Sequence, residues 1–213
     1  DRRNNVIKLS QAEFVAVGPL ESTYLGNSEL IRQIYIYGSS YRSYLLAVVV
    51  PDTAVAAARL SHEASLEELR LLALADLQEA ARKAALKSFE VPRDVLIELE
   101  PFTYENGLLS SVRKPLRPKL KERYQDALEA MYQEMDRARQ EELAQLRQEG
   151  SGLSTVERVA GAIKATLGLA DLDPHSNQGF GDLGGDSLGA VSFSLLLEEM
   201  FGVEVPVSVI LSP

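Results

Sequence analysis

Apolar residues in the first half of the chain recur mostly with the two-residue period of strands, and one stretch follows the helical period. The run 44–50 is nearly continuous and rich in valine, as in a strand buried on both faces, and Pro51 ends it. Ser65 and Glu68 form a capping box, which predicts a helix from there to about Ser88. Strands are predicted at 6–9, 14–17, 31–37, 44–50 and 95–99. This mixture indicates a small α+β unit.

The next stretch of the chain, from Glu122 to Gln148, is charged, rich in alanine and prone to form helix. The string Glu149-Gly150-Ser151-Gly152 then breaks the helical pattern with residues typical of a flexible linker. The chain is therefore predicted to have three parts, which are 1–123, a helical tail and linker over 124–152, and 153–213.

The last part of the chain shows only helical patterns. Ser154 and Glu157 form a second capping box, and the helix that they begin is predicted to reach about Gly168. A long loop follows, then a helix over 187–201, and residues 205–210 allow a short final helix. A unit of roughly 60 residues has a small core and is marginally stable. This part is predicted to be all-α.

Composition excludes several kinds of site. None of the 213 residues is cysteine, so the chain has no disulfide, cysteine nucleophile or thiolate metal site. The two histidines, His62 and His175, stand far apart without clustered carboxylates, so no metal site is predicted. No apolar run approaches the roughly 20 residues that a membrane-spanning helix needs. These observations fit a cytoplasmic protein that does not act at a membrane.

The chain is acidic, with a formal net charge of −9, and the acidity is concentrated towards its end. Residues 151–213 hold two basic and eight acidic residues, a net charge of −6. Nucleic-acid binding needs clustered lysine and arginine for phosphate contacts, so no nucleic-acid partner is predicted. The acidic surface suits a basic protein partner, and a role in solubility alone would account for it equally.

One serine stands where a glycine-rich loop meets the 187–201 helix. The run Phe180-Gly181-Asp182-Leu183-Gly184-Gly185-Asp186-Ser187-Leu188 places it at the helix start, exposed and beside a carboxylate. Asp-Ser before a helix is by itself no more than a helix cap. The whole string is more specific, and it suits a hydroxyl that another enzyme modifies.

This run closely resembles the attachment site of phosphopantetheine carrier domains, with Gly185, Asp186 and Leu188 around the serine. The resemblance implies a four-helix-bundle-like carrier, in which a phosphopantetheinyl transferase attaches 4'-phosphopantetheine to Ser187 as a phosphodiester. It also implies that the thiol at the end of this arm holds an acyl group as a thioester.

Two further strings resemble the adenylate-forming enzymes, which include acyl-CoA synthetases, peptide-synthetase adenylation domains and carboxylic acid reductases. Residues 1–15 resemble their hinge motif, and Asn106-Gly107-Leu108-Leu109-Ser110-Ser111-Val112-Arg113-Lys114 resembles their final motif. The resemblance implies that 1–123 is the small carboxy-terminal adenylation subdomain, which rotates between two half-reactions. It also implies that Lys114 is catalytic and closes over the acyl-adenylate.

A lysine at this place suits the chemistry that the resemblance implies. Attack of a carboxylate on the α-phosphate of ATP builds negative charge, which a mobile cation stabilises. On composition alone, Lys114 would be one solvated charge in a basic run that continues to Arg123. The Asn-Gly-Leu-Leu prefix that begins at Asn106, eight positions earlier, favours the catalytic interpretation.

The hinge resemblance assigns roles to five residues near the amino terminus. Asn4 aligns with the hinge itself, and asparagine tolerates the unusual backbone angles that a pivot needs. The family places Arg2 near the nucleotide, whereas Ala12 stands where glycine is usual, close to the path of the pantetheine. Lys8 and Glu13 also match the motif, which implies that they lie near the nucleotide or the pantetheine. The alternative for all five is a β-hairpin with ordinary surface residues.

Among families with this domain order, the chain most resembles carboxylic acid reductases, through the strings at 4–11, 113–120 and 201–207. The resemblance implies an enzyme that adenylates a carboxylic acid with ATP and Mg²⁺, loads the acyl group on the carrier and releases it as aldehyde with NADPH. Its partners are then the large adenylation subdomain and the terminal reductase domain of the same polypeptide. The chain is interpreted as a two-domain fragment that lacks both.

Two alternatives remain open at this point. One is a peptide-synthetase-like module, which passes its acyl group to another domain. The other is an acyl carrier or interaction protein without catalysis of its own. The kind of domain that follows the chain would separate a reductase from a peptide synthetase, and a complete protein with these ends would indicate the non-catalytic carrier.

Overall fold

A computed structural model gives the structure of the chain for residues 5–149, 152–169, 172–175, 178–185 and 187–212. The chain divides into two units, Asp1–Glu129 and Ala130–Pro213. The division falls inside one long helix, so it does not coincide with the end of an element. Among the described residues, no helix is both long and apolar enough to cross a membrane.

The first unit contains a hairpin and a three-stranded sheet. The hairpin pairs β1 (Val6–Lys8) with β2 (Phe14–Ala16) in antiparallel fashion. In the sheet, β4 (Leu45–Pro51) lies between β3 (Ile31–Tyr37), which is antiparallel to it, and β5 (Pro92–Ile97), which is parallel. Every residue of β4 is buried, as its continuous valine-rich run predicts.

Three helices accompany this sheet, α1 (Val17–Asn27), α2 (Thr53–Leu60) and α3 (Leu66–Lys83). The parallel pairing of β4 and β5 requires a crossover, which α2 and α3 provide. Side chains of α1 and α3 join those of the strands in the main core, whose fully buried members include Val15, Val17, Tyr24, Ala47, Leu77 and Ala80. The predicted α+β unit is thus confirmed.

Two of these helices were not predicted from the sequence. In α1, Gly18 and Pro19 resemble a break in the chain, yet Pro19 lies in the first turn, where a helix needs no N–H donor. The signal for α2 is Asp52, whose side chain accepts hydrogen bonds from the backbone N–H groups of Ala54 and Val55.

Two predicted boundaries were wrong by several residues. Helix α3 ends at Lys83 rather than near Ser88, because Ala85 adopts a positive φ of 50° and the Leu86 N–H bonds back to the Ala81 carbonyl. Strand β5 covers Pro92–Ile97 rather than 95–99, since a proline is tolerated at the first position of a strand.

The predicted helical tail begins earlier than the sequence suggested. Helix α4 covers Arg117–Glu149, a length of 33 residues. Its first half carries apolar side chains four residues apart, and Leu120, Tyr124 and Leu128 are buried. Burial of this face accounts for the early start, because packing rather than propensity supplies most of the stability of a helix in a protein. Of the predicted linker, residues 150–151 lie outside the described residues.

The second unit is helical within the described residues, as predicted. Helix α5 (Thr155–Leu167) begins with the predicted Ser154–Glu157 capping box and ends at Gly168, which has a φ of 66°. Helix α6 (Ser187–Phe201) has the predicted bounds, and α7 (Val207–Ile210) follows Pro206. Their shared core includes Ala162, Leu167, Phe180, Ala190, Phe193 and Leu197.

The far end of α6 is fixed by α5. Arg158 Nη2 donates a hydrogen bond of 2.9 Å to the Met200 carbonyl, and the guanidinium carbon lies 4.3 Å from the centroid of the Phe201 ring. A cation at the carboxy-terminal end of a helix also interacts favourably with the helix dipole. Gly202, with a φ of 66°, ends the helix by bonding its N–H to the Glu198 carbonyl.

Candidate functional site

The loop before α6 is a compact turn held by backbone hydrogen bonds. The Gly179 N–H donates to Asp182 Oδ2 at 2.9 Å, and the Leu183 N–H donates to the Gly179 carbonyl at 3.1 Å. Next to it, the N–H of Gly184 bonds to the carbonyl of Gly181 at 3.0 Å. These closures occur within a few residues, so the loop has a definite shape where it meets the helix.

Phe180 attaches this loop to α6. Its ring is buried and stacks on that of Phe193, with centroids 5.4 Å apart and planes 12° apart. Its carbonyl accepts the Gly185 N–H at 2.9 Å. A Cβ on Gly185 would lie 2.6 Å from that carbonyl oxygen and closer still to two ring carbons of Phe180. Only glycine therefore fits at Gly185 while Phe180 keeps this position.

Ser187 follows this loop as the first residue of α6, and its side chain is exposed. The amino-terminal end of a helix carries partial positive charge and free N–H groups, so a phosphodiester there is electrostatically favoured. Leu188 is 51% exposed beside it, and Asp186 lies outside the described residues. The residues present therefore fit a covalently attached phosphate-bearing arm.

Lys114 lies in the first unit on a tight hairpin. An antiparallel bridge pairs Leu109 with Pro115, and Ser110 donates its N–H to the Lys114 carbonyl at 2.8 Å. The Lys114 N–H in turn donates to Ser110 Oγ at 3.0 Å. Arg113 adopts a positive φ of 58°, which turns the chain back. Lys114 is exposed on this hairpin, where its ammonium group can reach a separate partner.

The Asn106 side chain organises the turn that leads into this hairpin. Its Oδ1 accepts the Thr103 N–H at 2.9 Å, and its Nδ2 donates to the Pro101 carbonyl at 2.9 Å. Gly107 follows with a φ of 74°, a conformation that favours glycine. The Asn-Gly pair of the motif therefore has a structural role in directing the chain towards Lys114.

The residues singled out near the amino terminus lie on the β1–β2 hairpin or before it. Lys8 Nζ is 5.9 Å from the centroid of the Phe14 ring on the paired strand, and the Glu13 carbonyl accepts the Leu9 N–H. Arg2 and Asn4 lie outside the described residues. The roles predicted for Lys8 and Glu13 remain predictions.

Ala12 adopts a conformation typical of glycine. Its φ is 66°, and its N–H bonds to the Leu9 carbonyl at 3.0 Å, which closes the turn of the hairpin. The resemblance to adenylate-forming enzymes leads one to expect glycine here. The backbone keeps the shape that glycine allows, although alanine pays a steric cost for it.

Replacing Ala12 with glycine is expected to raise the free energy of unfolding by up to about 1 kcal/mol, because the left-handed strain outweighs the added chain entropy. Ala84→Gly is the matched control, since Ala84 has a φ of −89° and its replacement should lower stability by about 0.5–1 kcal/mol. Urea unfolding followed by tyrosine fluorescence reports on the first unit, which holds seven of the eight tyrosines. Equal destabilisation by both changes would contradict the prediction.

The two histidines are the remaining residues with possible chemical roles. His62 Nε2 lies 2.8 Å from Glu68 Oε1 beside the α3 cap, and this hydrogen bond raises the pKa of His62. His175 is exposed on the loop after α5. In the part of the chain that the structure describes, no group of three or more potential ligands could hold a metal ion.

The predicted site residues thus fall into two groups. Lys8, Ala12, Glu13 and Lys114 lie in the first unit, and the serine loop lies in the second. Sequence reasoning did not find a buried pair beside the Lys114 hairpin, Glu21 and Arg117. These residues are 96 positions apart in the chain, and no local pattern links them.

Comparison with known proteins finds relatives for both parts of the chain. Residues 157–212 match the family model described as "Phosphopantetheine attachment site". The carboxylic acid reductase of Mycobacterium marinum is 49% identical over the whole chain, and that of Segniliparus rugosus is 51% identical. The chain spans only 18% and 17% of the length of these two proteins.

A solved structure extends the comparison to the whole length of this chain. The A-PCP didomain of carboxylic acid reductase from Segniliparus rugosus, determined in complex with AMP, is 50% identical to the chain, with a TM-score of 0.65. The match covers all of this chain and 29% of that one. The chain therefore corresponds to an adenylation and carrier segment, as its three motifs predicted.

Proposed function

Because the chain is homologous over its full length to the adenylation and carrier region of the carboxylic acid reductases, we propose that it serves such an enzyme in two steps. In the first, its small adenylation subdomain helps to activate a carboxylic acid with ATP and Mg²⁺. In the second, its carrier domain receives the acyl group and presents it to an NADPH-dependent reductase domain, which releases the aldehyde. The large adenylation subdomain and the reductase domain are proposed to belong to the same polypeptide.

The observation that carries this proposal is the position of Ser187. Its exposed hydroxyl begins α6 after a loop whose shape is fixed by Phe180 and Gly185, within the segment that matches the phosphopantetheine family. A phosphopantetheinyl transferase can therefore reach the hydroxyl, whose oxygen displaces 3',5'-ADP from coenzyme A and forms a phosphodiester. Once attached, the arm supplies the thiol that accepts the acyl group.

Lys114 is proposed to act in the activation step. The substrate carboxylate attacks the α-phosphorus of ATP, and pyrophosphate leaves with the electron pair of the broken P–O bond. Negative charge accumulates on the oxygens around that phosphorus, and the Lys114 ammonium group is proposed to stabilise it. The exposed hairpin gives this lysine the reach that the role demands.

Movement of the small subdomain is proposed to separate the two steps. Asn4 is the proposed pivot, and Arg2, Lys8, Ala12 and Glu13 are proposed to lie near the nucleotide or the pantetheine path. Withdrawal of the Lys114 hairpin then leaves room for the thiol. A linker near residues 149–152 would keep the carrier at high effective concentration near both active sites.

Sequence identity of about 50% to carboxylic acid reductases, over the whole of this chain, favours this function over the peptide-synthetase and non-catalytic alternatives. The proposed reaction consumes ATP and NADPH, and the arm comes from coenzyme A. We therefore propose that the protein acts in the cytoplasm, where these compounds are available.

The proposal is tested by incubating the chain with coenzyme A and a broad-specificity phosphopantetheinyl transferase and measuring its intact mass. The chain is expected to gain one phosphopantetheine, and Ser187→Ala is expected to gain none. Ser192→Ala is the matched control, because this serine lies one turn further along α6 and bonds to the Leu188 carbonyl. Unmodified, folded parent protein would remove the main support for a carrier.

A further inference from the structure

A buried ion pair joins α1 to the residue that begins α4. The side chains of Glu21 and Arg117 are only 9% and 17% exposed, and Arg117 Nη2 donates to Glu21 Oε2. The other carboxylate oxygen, Oε1, accepts the Ile36 N–H at 2.8 Å. Both oxygens of Glu21 are therefore used, one by the sheet and one by Arg117.

The sheet fixes Glu21 and Arg117 from a second direction. Strand β3 is an edge strand, and its Ile36 N–H is bonded to Glu21. The preceding residue, Tyr35, places its ring with the centroid 5.8 Å from the guanidinium carbon of Arg117. Arg117 is thus held between the carboxylate and an aromatic ring, in a geometry that suits its planar charge.

This pair stands at the base of the Lys114 hairpin. Arg117 is three positions after Lys114, and the intervening Leu116 donates its N–H to the Leu108 carbonyl at 2.9 Å. Leu108 and Leu120 are buried on either side, so the ends of the hairpin are fixed. Val112, at its tip, is 71% exposed. The fixed base therefore determines where the exposed hairpin projects.

Stability alone is a weak reason for such a pair. Burial raises the pKa of Glu21, and the charge of Arg117 opposes that rise. Desolvation of two charges offsets most of their attraction, so buried ion pairs often contribute little net stability. A carboxylate whose two oxygens are bound to different elements, one to Arg117 and one to the Ile36 N–H of β3, does, however, restrict where Arg117 can lie.

We propose that Glu21 is a positioning residue for Lys114, which it controls by holding Arg117 against β3 and thereby fixing the base of the hairpin. This inference rests on the proposed function of Lys114 in acid activation. It assigns no contact between Glu21 and the substrate. The inference requires that neutralising Glu21 shift the position of the Lys114 ammonium group, although the lysine itself is still present.

The test uses Glu21→Gln in the complete enzyme that contains this chain. Glutamine keeps the shape but turns an amide N–H₂ towards one of the two donors. Because misplacement of a catalytic group by about 1 Å can cost about 100-fold, kcat for pyrophosphate exchange with the acid and ATP should fall about 10- to 100-fold. KM for ATP should be unchanged, since the lysine acts on charge in the transition state.

Asp94→Asn is the matched control. Asp94 is equally buried, and it likewise accepts from an arginine, Arg70, at 2.7 and 2.8 Å and from a backbone N–H, that of Val95. Loss of the Asp94 charge should leave kcat for pyrophosphate exchange unchanged. Arg117→Lys keeps the charge but not the planar fork, so it should give a smaller fall in kcat, and it serves as the test if Glu21→Gln does not fold.

A double variant identifies the route of the effect. If Glu21 acts through Lys114, Glu21→Gln should have no further effect on kcat in a Lys114→Ala background. The Ser110 and Arg113 N–H groups, which close the hairpin, should exchange with solvent faster in Glu21→Gln than in Asp94→Asn. Equal effects of Glu21→Gln in both backgrounds, or equal exchange in the two variants, would overturn the inference.

Failure of the inference is distinguishable from failure of the proposed function. If Lys114→Ala lowers pyrophosphate exchange and Glu21→Gln and Arg117→Lys do not, only the positioning role is wrong. If Lys114→Ala leaves the exchange unchanged, the proposed role of Lys114 is wrong, and the inference is overturned with it.

Discussion

Replacing Lys114 with alanine in the complete enzyme is expected to lower the rate of acyl-adenylate formation by about 100- to 1,000-fold, the effect of removing one donor from a preorganised electrostatic site. Transfer of the acyl group from a supplied adenylate to the thiol should fall far less. In that step the thiol attacks the acyl carbon and AMP leaves, and the hairpin is proposed to be withdrawn. A selective loss of the first step is therefore the expected signature.

The two steps can be measured separately. Pyrophosphate exchange reports adenylate formation, and loading of the carrier from synthetic acyl-adenylate reports the transfer. Lys121→Ala is the matched control, because Lys121 is an exposed lysine of the same basic run on α4. Equal loss of both steps in Lys114→Ala would indicate a general role in folding or binding, and full retention of exchange would exclude the catalytic role.

Replacing Gly185 with alanine is expected to prevent efficient modification of Ser187. The added Cβ would overlap the Phe180 ring and approach the Phe180 carbonyl oxygen to 2.6 Å, and backbone cannot yield as a flexible side chain can. Overpacking of this kind costs about 1–3 kcal/mol. The carrier part of the chain, 153–213, has only roughly 60 residues and little stability in reserve, so the loop must move or this part must loosen. Either response takes the hydroxyl away from the transferase.

Gly181→Ala in the same loop is the control. A Cβ on Gly181 meets nothing within 4 Å, and its backbone is not in the left-handed region. The initial rate of phosphopantetheine transfer, followed by intact mass, should fall at least about 10-fold in Gly185→Ala. A tenfold fall corresponds to a free-energy cost of about 1.4 kcal/mol for adopting the loop conformation that the transferase needs. The rate should change little in Gly181→Ala. Equal rates in both variants would show that the contact with Phe180 does not control modification.

Both ends of α5, which have a local chemical signal, were predicted accurately, whereas α1, which depends on packing, was not predicted. Ser154, Glu157 and Gly168 bound α5 through bonds within a few residues, so the sequence contains the information. Helix α1 has no such signal, since its amino-terminal cap makes no side-chain hydrogen bond. It exists because Leu20 and Tyr24 are buried against the sheet, and that sheet cannot be assembled from the local pattern.

The candidate site divides in the same way. Ser187 and Lys114 stand in strings that resemble known motifs, so their positions were predicted without a structure. The contact of Phe180 with Gly185 and Phe193 depends on how the loop folds back over α6. The positive φ of Ala12 was not predicted, because alanine itself indicates no such conformation; the only signal in the sequence is the glycine that the motif usually has there.

The lack of space for a Cβ between Gly185 and Phe180 predicts a constraint on variation and on carrier exchange between enzymes. A side chain at position 185 would require both a smaller residue at position 180 and a shift of the carbonyl of that residue, so functional sequences with a large ring at 180 should keep glycine at 185. The stacking of Phe180 on Phe193 extends this dependence into the second turn of α6. A chimaera joined between positions 180 and 193 would place residue 180 of one carrier against residue 193 of another, to which it is not matched. A chimaera that transfers the whole segment 178–201 would keep the contacts of Phe180 with Gly185 and Phe193.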